Sequence, residues 1–323
     1  MKIAVLGAGG VAKDMAATLV LMKDVERYAV AARDYDRAKA FAEQYGFKKA
    51  YGSYRELTED PEVELVYIAT PHSHHYEHAT LCLEHGKHVL CEKAFTANAG
   101  QAEKLIELAE SRHLLVAEAI WTRYQPMSAL LQEIIQSGEI GEVTSVTASF
   151  GVPLFHVQRM TDPELAGGAL LDLGVYPITF ASIVLGGEVK EAVTAAVLTD
   201  RHVDARNSIT LIYEGGQMAV LNSNMESFTD SRGVVNGTKG YIVVEGINNF
   251  REIRVYVPGK NQEKRYGRPA DQISGYEYEV RSAMKAIREG HTECPEMPHH
   301  EILRVMKLMD GLREKWGVRF PFE

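Results

Sequence analysis

Short apolar runs alternate with segments of helical periodicity along the first third of the chain. Lys2–Leu6 reads as a strand, and after a glycine turn Val11, Met15, Leu19 and Met22 recur at helical spacing. Residues 28–32 read as the next strand. Three further apolar strands are expected at 65–69, 88–91 and 114–117, separated by helical patterns at 73–84 and Ala99–Ser111. Near-continuous apolar strands alternating with helices are what a parallel sheet with crossover connections requires. The rhythm breaks at 121–126, which places a domain boundary near Trp121 and gives two domains, 1–120 and 121–323.

Beyond that boundary the period changes. A helix over 127–136, closed by Gly138, precedes strands expected at 143–150, Val189–Leu198, 208–213, 218–222, Tyr241–Glu245 and 253–257. Glu214-Gly215-Gly216 is a hairpin signal between two of them. The second domain is therefore expected to be α+β, built on one large, mostly antiparallel open sheet. Helices are expected at 276–288 and 301–316. The apolar residues Ile302, Leu303, Val305, Met306, Leu308, Met309 and Leu312 suit the last one to pack back on the first domain.

Composition narrows the class. With 323 residues, 46% of them hydrophobic and 24% charged, the chain has enough apolar surface to fold throughout. A net charge of −9 with no Lys/Arg-rich run argues against a nucleic-acid partner. No apolar stretch is expected to be long enough to span a bilayer, and Met1–Leu6 reads as a short strand rather than a signal peptide's apolar region, so a cytoplasmic location is expected. Cys82, Cys91 and Cys294 form no C-x-x-C pair. The histidines at 72, 74, 75 and 78 raise the question of a metal, but no Cys or carboxylate completes a ligand set, and none is expected.

The first strand runs into Gly7-Ala8-Gly9-Gly10-Val11-Ala12, which fits G-x-G-x-x-G/A between a strand and a helix. Gly7 permits the turn, Gly9 lets the backbone approach a pyrophosphate, and Ala12 lets the helix pack closely. This predicts a Rossmann domain holding a nicotinamide dinucleotide. Where an NAD-binding chain would carry an acidic residue for the ribose hydroxyl, this one has Ala31-Ala32-Arg33. Arg33, with Arg37, suits a 2′-phosphate, so NADP is expected over NAD. Asp34 would take the acidic role if the strand ran further.

Glu92-Lys93 lies at the carboxyl end of a parallel strand, the edge where ligands bind in such sheets. Glu92-Lys93-Ala94 is one motif, and Asp172-Leu173-Gly174-Val175-Tyr176 after Gly167-Gly168, in the second domain with Asp172 and Tyr176 spaced for one helical face, is another. With them stand Ala69-Thr70-Pro71-His72 and His75, Glu118-Ala119-Ile120-Trp121-Thr122-Arg123, and Gly237-Thr238-Lys239-Gly240. Together they resemble the Gfo/Idh/MocA family of oxidoreductases over nearly the whole chain. The Trp-Thr-Arg block and Tyr176 look most like its branch of dimeric dihydrodiol and NADP-dependent D-xylose dehydrogenases. Ala94 departs from the family's proline, and Pro177 interrupts the helix expected around Tyr176.

The resemblance implies that Lys93, Asp172 and Tyr176 are catalytic, with Tyr176 or Lys93 exchanging the substrate proton and Asp172 orienting them. A phenol is a poor base at neutral pH, and an ammonium beside it favours phenolate. It also implies cofactor contacts from Thr70, Pro71, His72, His75, Glu92, Lys93 and Arg123, and substrate contacts from Trp121, Phe150 and His156. The expected activity is hydride transfer between NADP and a sugar or cyclic vicinal diol, by a homodimer or higher homo-oligomer. An anhydro-sugar or keto-sugar reductase is the alternative within the same chemistry. A non-catalytic NADP(H)-sensing regulator is the alternative outside it.

Overall fold

A computed structural model describes residues Met1–Glu323. They form two compact units, Met1–Ile120 with Ile273–Met306, and Trp121–Gln272 with Lys307–Glu323.

The first unit alternates β1 (Lys2–Leu6), α1 (Gly10–Leu21), β2 (Glu26–Ala31), α2 (Tyr35–Tyr45), β3 (Lys49–Tyr51), α3 (Tyr54–Glu59), β4 (Leu65–Ile68), α4 (His72–Glu84), β5 (His88–Glu92), α5 (Ala99–Ser111) and β6 (Val116–Ala119). The strands are all parallel, in the order β3-β2-β1-β4-β5-β6. That is the doubly wound order, and it reverses direction between β1 and β4, where ligands bind. Strands β4, β5 and β6 are buried almost throughout because helices cover both faces.

Helix α2 carries little apolar periodicity. Only Ala38, Phe41 and Ala42 face its core, so the apolar stripe is short, and the caps Asp34 and Gly46 set its ends. Strand β6 begins two residues later than expected. Leu114 N–H closes the end of α5 on the Ala109 carbonyl (3.0 Å), and Leu115 N–H donates to Nδ1 of His88 (2.9 Å).

The second unit opens with a 3-10 turn at Trp121–Tyr124, then α6 (Pro126–Gln136), β7 (Val143–Gly151), α7 (Gln158–Thr161), a π-helical turn at Leu170–Gly174 and α8 (Val175–Leu185). Strands β8 (Val189–Leu198), β9 (Asp204–Tyr213), β10 (Met218–Asn224), β11 (Arg232–Gly237), β12 (Tyr241–Glu245), β13 (Glu252–Val257) and β14 (Gln262–Gly267) follow. The eight strands run in the order β14-β13-β12-β11-β7-β10-β9-β8, antiparallel except for the β7/β10 pair. Ala219, Leu221 and Ser223 of β10 are buried, whereas Met218 and Val220 on its other face are exposed. Strand β14, rich in charge, has no apolar alternation to betray it and suits an edge.

Pro163–Leu185 corrects the expectation that no apolar stretch is long enough to span a bilayer. Its 23 residues pass by length and composition, but 89% of the most apolar window is buried inside the protein, as in a core helix. Pro177 falls in the first turn of α8, directly after the π turn. The looser turn, in which Val175 N–H reaches the Leu170 carbonyl, precedes the point where a proline lacks its own donor.

The chain closes with α9 (Tyr276–Glu289) and α10 (His299–Trp316). Helix α9 belongs wholly to the first unit, and α10 divides between the two after Met306.

In the second unit Asp204 anchors the start of the helix that leads to α8. Its Oδ2 accepts from Leu170 N–H (2.8 Å) and from Nδ2 of Asn207 (2.8 Å). Gly168 takes φ +123°, and a Cβ there would lie 2.4 Å from Oδ1 of Asp204. Burial pushes the Asp204 carboxyl up to about 7 from its ordinary 3.8, although these donors pull the other way. A raised carboxyl pKa means that folding takes up a proton between about pH 4 and 7. The stability from this group is therefore full below pH 4 and lost as pH rises through 7, by ~4 kcal/mol. Asp204→Asn, which cannot ionise, should flatten the melting temperature across that range; an unchanged pH dependence would refute the assignment.

Candidate active site

The glycine loop joins β1 to α1. Gly7 adopts φ +108°, and a Cβ there would lie 2.8 Å from the Ala69 carbonyl oxygen, so only glycine allows this approach to the loop after β4. Cβ atoms on Gly9 and Gly10 would meet nothing within 4 Å. Helix α1 has no side-chain cap and no acidic residue in its first turn. Its N-terminus thus has no side chain of its own to cap it or neutralise its dipole, an arrangement that fits a pyrophosphate. Val11 is half-buried, and Ala12 is fully buried beneath the loop.

Strand β2 ends at Ala31 and leaves Arg33 exposed beside it. Asp34 is engaged elsewhere: its side chain caps α2, accepting from Arg37 N–H (3.2 Å). The Arg37 guanidinium reaches back to the glycine loop, where Nη2 donates to the Ala8 carbonyl (2.6 Å).

After β4, Thr70 and Pro71 lead into α4, with Pro71 at its N-cap. His72 and His75 are buried, their rings 5.7 Å apart and nearly perpendicular. His75 locks two loops together. Its Nδ1 lies 2.9 Å from the Ala94 carbonyl and its Nε2 2.8 Å from the Thr70 carbonyl. Burial pushes its pKa down to about 4 even though two carbonyls favour the cation, so at neutral pH the ring donates to one of them only. His78, whose Nδ1 is 3.0 Å from the Thr70 hydroxyl, is likewise pushed down to about 4 by burial.

At the end of β5 the Glu92 side chain is almost fully buried and accepts from the Tyr67 hydroxyl and, at 3.2 Å, from Lys93 N–H. The peptide bond between Lys93 and Ala94 is cis. Glu118, on β6, accepts from Phe95 N–H (2.9 Å), which fixes the far side of the Lys93 turn. Tyr67 and Glu118 thus support the turn. Tyr67 sits inside an apolar strand where sequence gives only a core aromatic, and nothing in the spacing marks its hydroxyl.

The second unit carries the remaining candidates. Asp172 lies in the π turn and Tyr176 one turn on in α8, both nearly buried. Tyr176 packs edge-on against Phe150 of β7, with ring centroids 5.0 Å apart. Asp172 does not cap a helix. Arg159, on α7, grips both its oxygens at 3.1 Å, and this bidentate geometry favours the carboxylate. Nothing in the sequence marks Arg159, because a partner thirteen positions away on another short helix leaves no periodic trace.

Trp121 and Arg123 occupy the 3-10 turn, and the Arg123 guanidinium donates to the Ser182 hydroxyl of α8. Arg123 therefore belongs to the same unit as Asp172 and Tyr176, apart from the other residues expected to hold the cofactor. His156 is exposed on the loop between β7 and α7.

A doubly wound sheet with a glycine loop leading into an uncapped helix defines a dinucleotide-binding α/β protein, here joined to an α+β unit. Comparison with known proteins adds the chemistry. Residues 1–119 match the family profile described as oxidoreductase family, NAD-binding Rossmann fold, and residues 129–243 match the GFO/IDH/MocA C-terminal domain. Trans-1,2-dihydrobenzene-1,2-diol dehydrogenase of Homo sapiens is 36% identical, covering 98% of this chain and 97% of its own. The D-xylose 1-dehydrogenase (NADP(+)) of Hypocrea jecorina is also 36% identical, over 84% of this chain and 78% of its own. Among solved structures, KijD10, a 3-ketoreductase from Actinomadura kijaniata in complex with NADP and TDP-benzene, superimposes with a TM-score of 0.89 at 28% identity over 97% of both chains. The chain belongs to the Gfo/Idh/MocA family of oxidoreductases, in the branch of the dihydrodiol and D-xylose dehydrogenases. It is a dehydrogenase or reductase acting on CH–OH groups, and its first unit is an NAD(P)-binding Rossmann fold.

Proposed function

We propose that this protein moves hydride between NADP and a sugar or cyclic vicinal diol. The observation that carries the cofactor choice is the end of β2. Two alanines and the exposed Arg33 stand there, while Asp34, the carboxylate next to Arg33 in the chain, is spent capping α2. The 2′-phosphate is assigned to Arg33, with Arg37 tying the neighbouring loop in place. The pyrophosphate is assigned to Gly7, Gly9, Gly10 and the start of α1, with Thr70, Pro71, His72 and His75 forming the adjoining wall. The substrate class follows the diol and aldose named for the relatives.

Bound NADP supplies or accepts the hydride. Tyr176 and Lys93 are assigned to the exchange of the substrate hydroxyl proton. Asp172, held as a carboxylate by Arg159, orients Tyr176, and Phe150 fixes its ring from the side. Trp121 and His156 are assigned to substrate contacts and Arg123 to the cofactor. The likeness to a 3-ketoreductase favours a second reading, reduction of a keto-sugar by the same residues.

Self-association is assigned to the open sheet face. Val193, Thr210, Val220, Thr147 and Val234 align in register across five strands, and Val193 and Val220 are 57% and 44% exposed. Sedimentation equilibrium should give a dimer or larger assembly, and a monomer at all concentrations would reject this.

Fluorescence titration with NADPH and NADH, followed by turnover on aldoses, cyclic diols and keto-sugars, tests the function directly. Arg33→Ala should weaken NADPH roughly tenfold or more, the loss of a charge-assisted hydrogen bond, and leave NADH nearly unchanged. Equal losses for both would reject the choice of NADP. Tyr176→Phe should lower kcat by about 10²- to 10⁴-fold with NADPH affinity intact. Near-normal turnover would exclude Tyr176 from the proton exchange.

A further inference from the structure

Helix α9 carries a carboxyl group with no place in the reading above. Glu279 is completely buried, and neither of its oxygens has a hydrogen-bond partner. It belongs to the same unit as β4, β5 and β6, and its charged neighbours are Glu92, Glu277 and Glu118. Burial, together with the charges of Glu92, Tyr276 and Glu279, also pushes the Tyr67 hydroxyl up. No cation is among these neighbours.

The surrounding groups are already committed. Glu92 takes hydrogen bonds from Tyr67 and from Lys93 N–H, and Glu118 from Phe95 N–H. Glu277 takes four, from the N–H groups of Ile273, Ser274 and Gly275 and the Ser274 hydroxyl, and so remains a carboxylate. The charged groups that act on Glu279 are thus all carboxyls. A carboxylate cannot be satisfied by other carboxylates, whereas a carboxylic acid has one O–H to give. A lone buried charge in such a pocket takes up a proton rather than stay ionised. Burial first, and then the charges of Glu92, Glu277 and Glu118, push the Glu279 carboxyl well above its ordinary range.

We propose that Glu279 is a positioning residue: a neutral carboxylic acid whose proton is donated toward the Glu92 carboxylate and so steadies the turn that presents Lys93. It acts through Glu92 and touches neither substrate nor cofactor. Its part in turnover rests on the role assigned to Lys93 above. A buried acid with only a packing role would be replaced without loss by an apolar residue of similar size. An acid that supplies a donor is replaced only by another donor.

Infrared difference spectra between the wild type and Glu279→Gln near pH 7 read the proton directly. The wild type should show the carbonyl band of a protonated carboxylic acid, and the variant should lack it. Glu279→Leu should lower turnover about ten- to a hundredfold, the effect of a reacting group displaced by ~1 Å, with NADPH binding and melting temperature maintained. Glu279→Gln, which keeps an N–H donor, should stay within about threefold of the wild type. Absence of the band overturns the proposal, as does a Leu variant with normal turnover or a Gln variant as impaired as Leu. The band is read in the wild type whether or not any substrate is turned over. A protein with the band but no activity on any substrate therefore removes the role of Lys93 and leaves the buried acid standing.

Discussion

The bare N–H groups at the start of α1 are the constraint on which the dinucleotide site depends. A helix that begins with neither a capping side chain nor an acidic first turn has donors to satisfy and a positive end to neutralise. Glycines at 9 and 10 keep the approach clear, and Gly7 brings the loop against the carbonyl of Ala69 more closely than any side chain would permit. The switch in strand order between β1 and β4 opens the sheet at that point. Loop, helix and topology thus serve one anion-binding position, and the arginines beyond β2 extend it.

Each unit also keeps acidic side chains inside. Glu92, Glu118, Asp172, Asp204, Glu277 and Glu279 are all nearly or wholly buried. Most are satisfied by backbone N–H groups at bends: the turn carrying Lys93, the entry to the π turn, the start of α9. Buried carboxylates of this kind contribute little net stability, because desolvation offsets what the donors return. They hold irregular backbone in one conformation instead. Asp172 differs, since Arg159, a half-exposed guanidinium that water can reach, pairs with it from another helix.

Periodicity, turn chemistry and short motifs are local properties, and the sequence by itself determined what they encode. The parallel strands, the glycine loop, the change of character at Trp121 and the helix at Ala99–Ser111 all follow from patterns within a few residues. So does the candidate status of Lys93, Asp172 and Tyr176, once the motifs around them were set beside a known family. Elements with weak apolar contrast, α2, β11 and the charged edge strand β14, left no such pattern.

Tertiary structure alone decided which groups meet. That Arg159 grips Asp172, that Tyr67 reaches Glu92 and that Glu279 is wholly buried under the charge of other carboxyls are arrangements of residues brought together by folding. Each depends on burial and distance in space, which a linear pattern does not carry. Residues 163–185 show the same limit from the other side: their composition suits a lipid bilayer as well as a protein core, and only the packing around α8 tells the two apart.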